Sequence, residues 1–152
     1  MQPPGFSSTR RHLPHWTLSG ATYYVTFHLD VGELTPAERK IVLDHVKAGH
    51  RRFYNLAAAS VMPDHAHVMF RPHEGFTPSR IMKGIKGASA RLLNLQRNRT
   101  GRVWQEESWD RIIRDVAKFD EKLQYMYDNP VKAGLVTDGA AYDGWYFNPD
   151  FL

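Results

Sequence analysis

Two histidines separated by a single residue, His65 and His67, are side chains of a type that can share a metal ion. On an extended chain alternate residues share a face, so both imidazoles project to one side while Ala66 turns to the other. Two neutral imidazoles a few ångströms apart make half of a metal site. The same spacing also arises by chance in a chain with eight histidines, so the pair alone leaves both readings open. Its setting favours use. Met62-Pro63-Asp64 precedes it and the apolar Val68-Met69-Phe70 follows, which puts the pair at the start of a buried strand.

A second group lies near the C-terminal end. At about 100° per residue, Phe119, Leu123 and Met126 form an apolar helix stripe. Lys118, Lys122, Tyr125 and Asn129 fall within roughly 60° of one another on a different face. That face offers a phenol, an amide oxygen one turn away and two ammonium groups. It suits a phosphate, or it is a solvated face with a half-buried tyrosine. Tyr127 is turned about 200° from Tyr125 and flanks the stripe, where packing against the core is expected. A phenol ionises near pH 10, so it becomes a nucleophile only where its anion is stabilised, a task open to Lys118 and Lys122.

Elements must hold these groups together. Residues 22–29 are aromatic and β-branched and predict a strand. Thr35-Pro36 has the pattern of an N-cap and first-turn proline, opening a helix to about Gly49. Residues 53–60 and 66–71 predict two strands joined around Met62-Pro63-Asp64. Thr77-Pro78 opens a helix with Ile81, Ile85, Ala88, Leu92 and Leu95 at helical spacing. Residues 101–105 predict a strand, followed by a loop through Trp109-Asp110-Arg111. Residues 115–129 predict a last helix, stopped by Asn129-Pro130. The order strand-helix-strand-strand-helix-strand-helix is that of a ferredoxin-like α+β domain, an antiparallel sheet with helices packed on it, plus one extra, tyrosine-bearing helix.

The 152 residues suit one domain spanning 1–152, in which residues 1–20, rich in Pro, Gly, Ser and Arg, predict an N-terminal arm. No cysteine is present, which excludes disulfides and thiolate metal sites and is compatible with a reducing cytoplasm. No apolar run is long enough for a membrane span, and the first residues lack the apolar core of a signal peptide. A cytoplasmic location, with nucleoid association, is the expectation. The net charge is +4. Positive residues gather in one region, with Arg80, Lys83, Lys86, Arg91, Arg97, Arg99, Arg102, Arg111 and Arg114 opposed there by Glu106, Glu107 and Asp110. Arg10 and Arg11, with Arg51 and Arg52, form a smaller cluster. Such a patch binds a polyanion or is a solvated helix surface. Trp104 and Trp109 read as core residues, with stacking on unpaired bases as the alternative.

Met62-Pro63-Asp64-His65-Ala66-His67-Val68-Met69 resembles the His-hydrophobic-His (HUH) motif of the single-tyrosine, IS200-like transposases. The segment from Tyr125-Met126-Tyr127-Asp128-Asn129-Pro130 to Leu135-Val136 is similar to that family's tyrosine helix and its exit. Arg10-Arg11-His12-Leu13-Pro14-His15, Gly20-Ala21-Thr22-Tyr23-Tyr24-Val25-Thr26-Phe27 and Val103-Trp104-Gln105-Glu106-Glu107-Ser108-Trp109-Asp110-Arg111 resemble the branch called REP-associated tyrosine transposases. Ala66 replaces a frequently bulkier apolar residue, and Trp109 stands where phenylalanine is usual.

The resemblance implies an HUH-endonuclease fold. His65, His67 and Asn129 would bind one divalent ion, Mg2+ or Mn2+, and Tyr125 would be the nucleophile. The implied activity cleaves and rejoins hairpin-bearing single-stranded DNA, such as a repetitive extragenic palindrome. Attack by Tyr125 would leave a 5′-phosphotyrosine and a free 3′-hydroxyl, by a monomer or a homodimer. Arg10, Arg11, Arg80, Lys83, Lys86, Arg91, Lys118 and Lys122 are the candidate DNA contacts. Two rivals belong to other classes. One is a domesticated DNA-binding protein of the same fold without cleavage, which would need neither the histidines nor the tyrosine. The other is a His-x-His metalloenzyme acting on small molecules, which would need further ligands that neither Asp64 nor Glu74 is placed to supply.

Overall fold

The computed structural model describes residues 20–151. The elements are β1 (Thr22–Leu29), α1 (Pro36–Ala48), β2 (Tyr54–Val61), β3 (His65–Pro72), α2 (Pro78–Arg97), β4 (Trp104–Ile113), α3 (Val116–Lys132), a 3-10 turn (Gly139–Ala141) and β5 (Trp145–Phe147). The strands form one sheet in the order β4-β1-β3-β2-β5, every neighbouring pair antiparallel. This is the ferredoxin-like α+β arrangement expected from the element order, extended by α3 and a short fifth strand. No described helix is long and apolar enough to cross a membrane.

Local chemistry sets the helix starts. Thr35 closes a capping box on α1, its Oγ1 accepting from the Glu38 N–H while Glu38 Oε1 accepts from the Thr35 N–H at 2.8 Å. Thr77 caps α2 and Asp115 caps α3 in the same side-chain-to-N3 manner. The β2–β3 connection is tight, with the Met62 N–H donating to the His65 carbonyl at 2.8 Å.

The sheet is covered on both faces, which explains why β3 is buried from residue 66 to 71. Val25, Phe27, Ala66, Val68 and Phe70 pack against α1 and α2 through Val42, Val46, Ile81 and Ile85. On the other face Tyr24, Ala58, Met69 and Ile113 meet Phe119, Leu123 and Met126 of α3. Burying each of these α3 side chains contributes roughly 1.5–3 kcal/mol, so the stripe clamps the helix with its opposite side turned outward.

Two expectations about these elements need correction, and one element was not expected. Trp109-Asp110-Arg111 is strand, not loop: β4 continues to Ile113, with Trp109 opposite Thr26 and Arg111 opposite Tyr24. An edge strand whose side chains are mostly wet lacks the apolar alternation that marks strands in sequence, and here pairing with β1 overrides weak local preference. Helix α3 passes through Asn129-Pro130 and ends at Lys132. Pro130 falls in the last turn and is buried, and the chain after it is tied back by Ala133 N–H to Asn129 O and Leu135 N–H to Pro130 O, both at 2.9 Å. β5 was not foreseen, since three residues are too few to show a period.

Candidate active site between the sheet and the last helix

His65 and His67 lie on the β3 face that looks toward α3, their rings 4.8 Å apart and nearly perpendicular. His67 is buried, with its Nδ1 2.8 Å from Thr26 Oγ1 and 3.0 Å from the Tyr24 hydroxyl. Its pKa is pushed down to about 3, first by burial and then by the neighbouring His65, His28 and Lys122. The ring is therefore neutral at physiological pH. If Nδ1 carries its one proton toward Thr26, Nε2 is left as a lone pair. That atom faces the Asn129 side-chain amide at 3.3 Å.

His65 is held in a parallel manner. Its Nδ1 is 2.7 Å from Asp64 Oδ1, and this bond is the main reason the Asp64 carboxyl lies below its usual range. Each histidine thus has its Nδ1 held by an oxygen, and His67 Nε2 faces Asn129. Oxygen partners behind the ring are how metal-binding imidazoles are usually oriented. The donor set would be two imidazole nitrogens and an amide oxygen, the last presented once the Asn129 amide turns over. Among the described residues no group of three His, Asp or Glu side chains forms a ready-made metal cage. A site of this kind would leave open positions for substrate, and its N,O donors suit a hard or borderline divalent ion.

Tyr125 completes the cluster. It is 48 % exposed, with its ring 5.8 Å from that of His67. Four residues on, one helical turn, stands Asn129. Helical spacing puts both on one face of α3. Tyr127 points the other way and is buried, its ring 5.5 Å from Trp145 and its hydroxyl donating to Asp138 Oδ1 at 3.3 Å.

Sequence reasoning missed His28. It sits directly opposite His65 in the β1–β3 register and stacks on it at 5.3 Å. The signal was strand register, which a single sequence does not carry. Trp109 was read as core, yet it is 68 % exposed; Trp104 is the buried one, edge-on to Phe27 and donating to Ser89 Oγ at 2.9 Å.

The expected DNA contacts are divided. Lys122 lies beside the site, its Nζ 5.3 Å from the Tyr24 ring centre. Lys118 pairs with Glu121 at 3.1 Å, and both lysines line a cleft with Arg111 and Arg114. Arg80, Lys83, Lys86 and Arg91 belong to α2, which packs on the other face of the sheet, so the structure does not bring them to the histidines. Lys86 reaches around to β4, donating to Glu106 O at 2.8 Å and Ser108 Oγ at 3.1 Å. Arg10 and Arg11 lie outside the described residues.

Residues 40–112 match the family described as "Transposase IS200 like". A protein of Haemophilus influenzae assigned as a REP-associated tyrosine transposase is 30 % identical over 93 residues, covering 55 % of this chain and 53 % of its own length. The REP-associated tyrosine transposase of Escherichia coli K12 is 26 % identical over 123 residues, covering 78 % of this chain and 72 % of its own. The alignment thus spans about half of the first relative's length. In fold the chain is similar to a solved REP-associated tyrosine transposase bound to a REP hairpin, with a TM-score of 0.64 and 23 % identity over 86 % of this chain and 78 % of that one.

Proposed function

We propose that this chain, whose residues 40–112 match the family described as "Transposase IS200 like", cleaves and rejoins hairpin-bearing single-stranded DNA, with Tyr125 as nucleophile. The observation that carries this reading is the convergence of Tyr125, His67 and Asn129. A half-exposed phenol stands 5.8 Å from a neutral, buried imidazole whose free nitrogen meets an amide one helical turn away.

His65, His67 and Asn129 would hold one Mg2+ or Mn2+. Such an ion, when bound, draws charge from a non-bridging oxygen of the scissile phosphate. Tyr125 Oη gives up its proton to solvent and attacks phosphorus, the bond to the 3′ oxygen breaks, and that oxygen takes up a proton from solvent and leaves as a 3′-hydroxyl. The 5′ phosphate stays on the tyrosine. One phosphodiester is exchanged for another, so a 3′-hydroxyl can reverse the step and join a new end without an external energy source. Lys122 adds a fixed positive charge beside the reacting phosphate. Lys83, Lys86 and Arg91 on α2, away from the histidines, would hold the phosphates of the paired stem.

The test incubates the full chain with labelled single strands carrying a palindromic hairpin and unpaired flanks, with Mn2+ or with a chelator. We expect a covalent protein–DNA band on a denaturing gel, dependent on the ion and mapping to Tyr125. Binding without any adduct under both conditions would leave only a hairpin-binding protein and overturn the cleavage reading.

A further inference from the structure

We propose that β4 is a track for unpaired nucleotides leading into the His67–Tyr125 site, with the Trp109 indole as the stacking platform for one base. The inference rests on the reading that the substrate is single-stranded DNA, and it says where the unpaired part runs.

Trp109 is 68 % exposed, whereas Trp104, at the other end of the same strand, is 4 % exposed. Exposing a whole indole forgoes the burial that usually justifies the residue. Its position is not arbitrary. Trp109 lies opposite Thr26, and Thr26 lies opposite His67, so one row across the sheet runs Trp109–Thr26–His67 on the face of α3. Two strand spacings, roughly 10 Å, separate the indole from the candidate metal ligand.

Two residues along, on the same face, Arg111 lies opposite Tyr24, the residue over whose ring Lys122 Nζ sits. Arg111, Arg114, Lys118 and Lys122 line a cleft of about 470 Å³ between β4 and α3. Of its two acids, Asp115 is engaged as the α3 cap and Glu121 with Lys118. The surface beside the site therefore sets one exposed aromatic face, Trp109, next to a cluster of cations, with the carboxylate of Glu107 two residues before the indole on the same strand. An aromatic face beside cations binds single-stranded nucleic acid without sequence readout, because every base has a face to stack and every nucleotide a phosphate. A paired stem keeps its bases stacked on each other and has none to offer the indole.

The experiment compares two labelled hairpins, one blunt and one with unpaired flanks on both sides, by fluorescence anisotropy. Binding is measured on a Tyr125→Phe background so that no probe is consumed. Trp109→Ala should weaken the flanked hairpin roughly tenfold and leave the blunt one unchanged, while Trp109→Phe should restore most of the loss. An abasic replacement at one flank position should reproduce the loss, and should have no further effect in Trp109→Ala. Independently, Arg111→Gln should lower the salt dependence for the flanked probe by about one phosphate contact. Equal losses on both probes, or none on either, would overturn the track. Cleavage is scored separately with Tyr125 intact. A flank-specific loss without any cleavage upholds the track and removes the nuclease reading; cleavage with an indifferent Trp109→Ala does the reverse.

Discussion

Thr26 faces His67 directly across the β1–β3 ladder, with Thr26 Oγ1 2.8 Å from His67 Nδ1. With Nδ1–H donating to this hydroxyl, Nε2 is the nitrogen offered to the front of the site. Thr26→Val keeps the shape and removes this partner. Tyr24, at 3.0 Å, then remains as a hydroxyl partner of Nδ1. We expect Mn2+ affinity, read by electron paramagnetic resonance of the free ion, to fall about 10–100-fold with the fold intact. Unchanged Mn2+ binding would show that Thr26 does not orient the ligand.

Tyr125 and Tyr127 separate cleanly. Tyr125→Phe should abolish the covalent adduct while hairpin binding persists. Tyr127→Phe should keep the adduct and lose about 0.5–1.5 kcal/mol of stability with its bond to Asp138. Denaturing gels and chemical denaturation read the two effects apart. An adduct retained in Tyr125→Phe would refute its role as nucleophile.

Under the proposed function the basic residues of α2, on the sheet face away from the histidines, would bear on affinity rather than chemistry. Replacing Lys83 and Arg91 with glutamine should weaken hairpin binding and flatten its salt dependence by about two contacts, with the cleavage rate at saturating DNA unchanged. If affinity and salt slope do not move, the stem does not reach that side of the sheet.

Glu38 gives a pH dependence. It closes the α1 capping box and binds Arg97 from the last turn of α2, tying the two helices together. The Arg97 guanidinium, more than any other group, holds its carboxyl below the usual 4.5. The folded pKa is below the unfolded one, so the unfolded chain takes up the proton first. The stabilisation is complete above about pH 4.5 and is lost as pH falls through the folded value. Glu38→Gln should cost about 1–3 kcal/mol at neutral pH and melt with a flatter acid dependence than the parent chain. Parallel melting curves from pH 7 to 3 would show that Glu38 contributes nothing to acid unfolding.

Much of the site could be read from the chain because its parts are local. His65 and His67 share a face on any extended strand, and Tyr125 and Asn129 share one on any helix. Thr35, Thr77 and Asp115 announce helix starts through bonds that reach only three residues. What the chain alone could not supply depends on partners distant in sequence. The pairing of β1 with β3 brought His28 onto His65 and Thr26 onto His67. The pairing of β1 with β4 turned an expected loop into a strand and left Trp109 exposed on the sheet face that carries His67. Packing of α2 and α3 on opposite faces separated basic residues that sequence had grouped as one patch. Register and layer are decided by which apolar faces bury against each other, a property of the assembled sheet that short-range periodicity does not record.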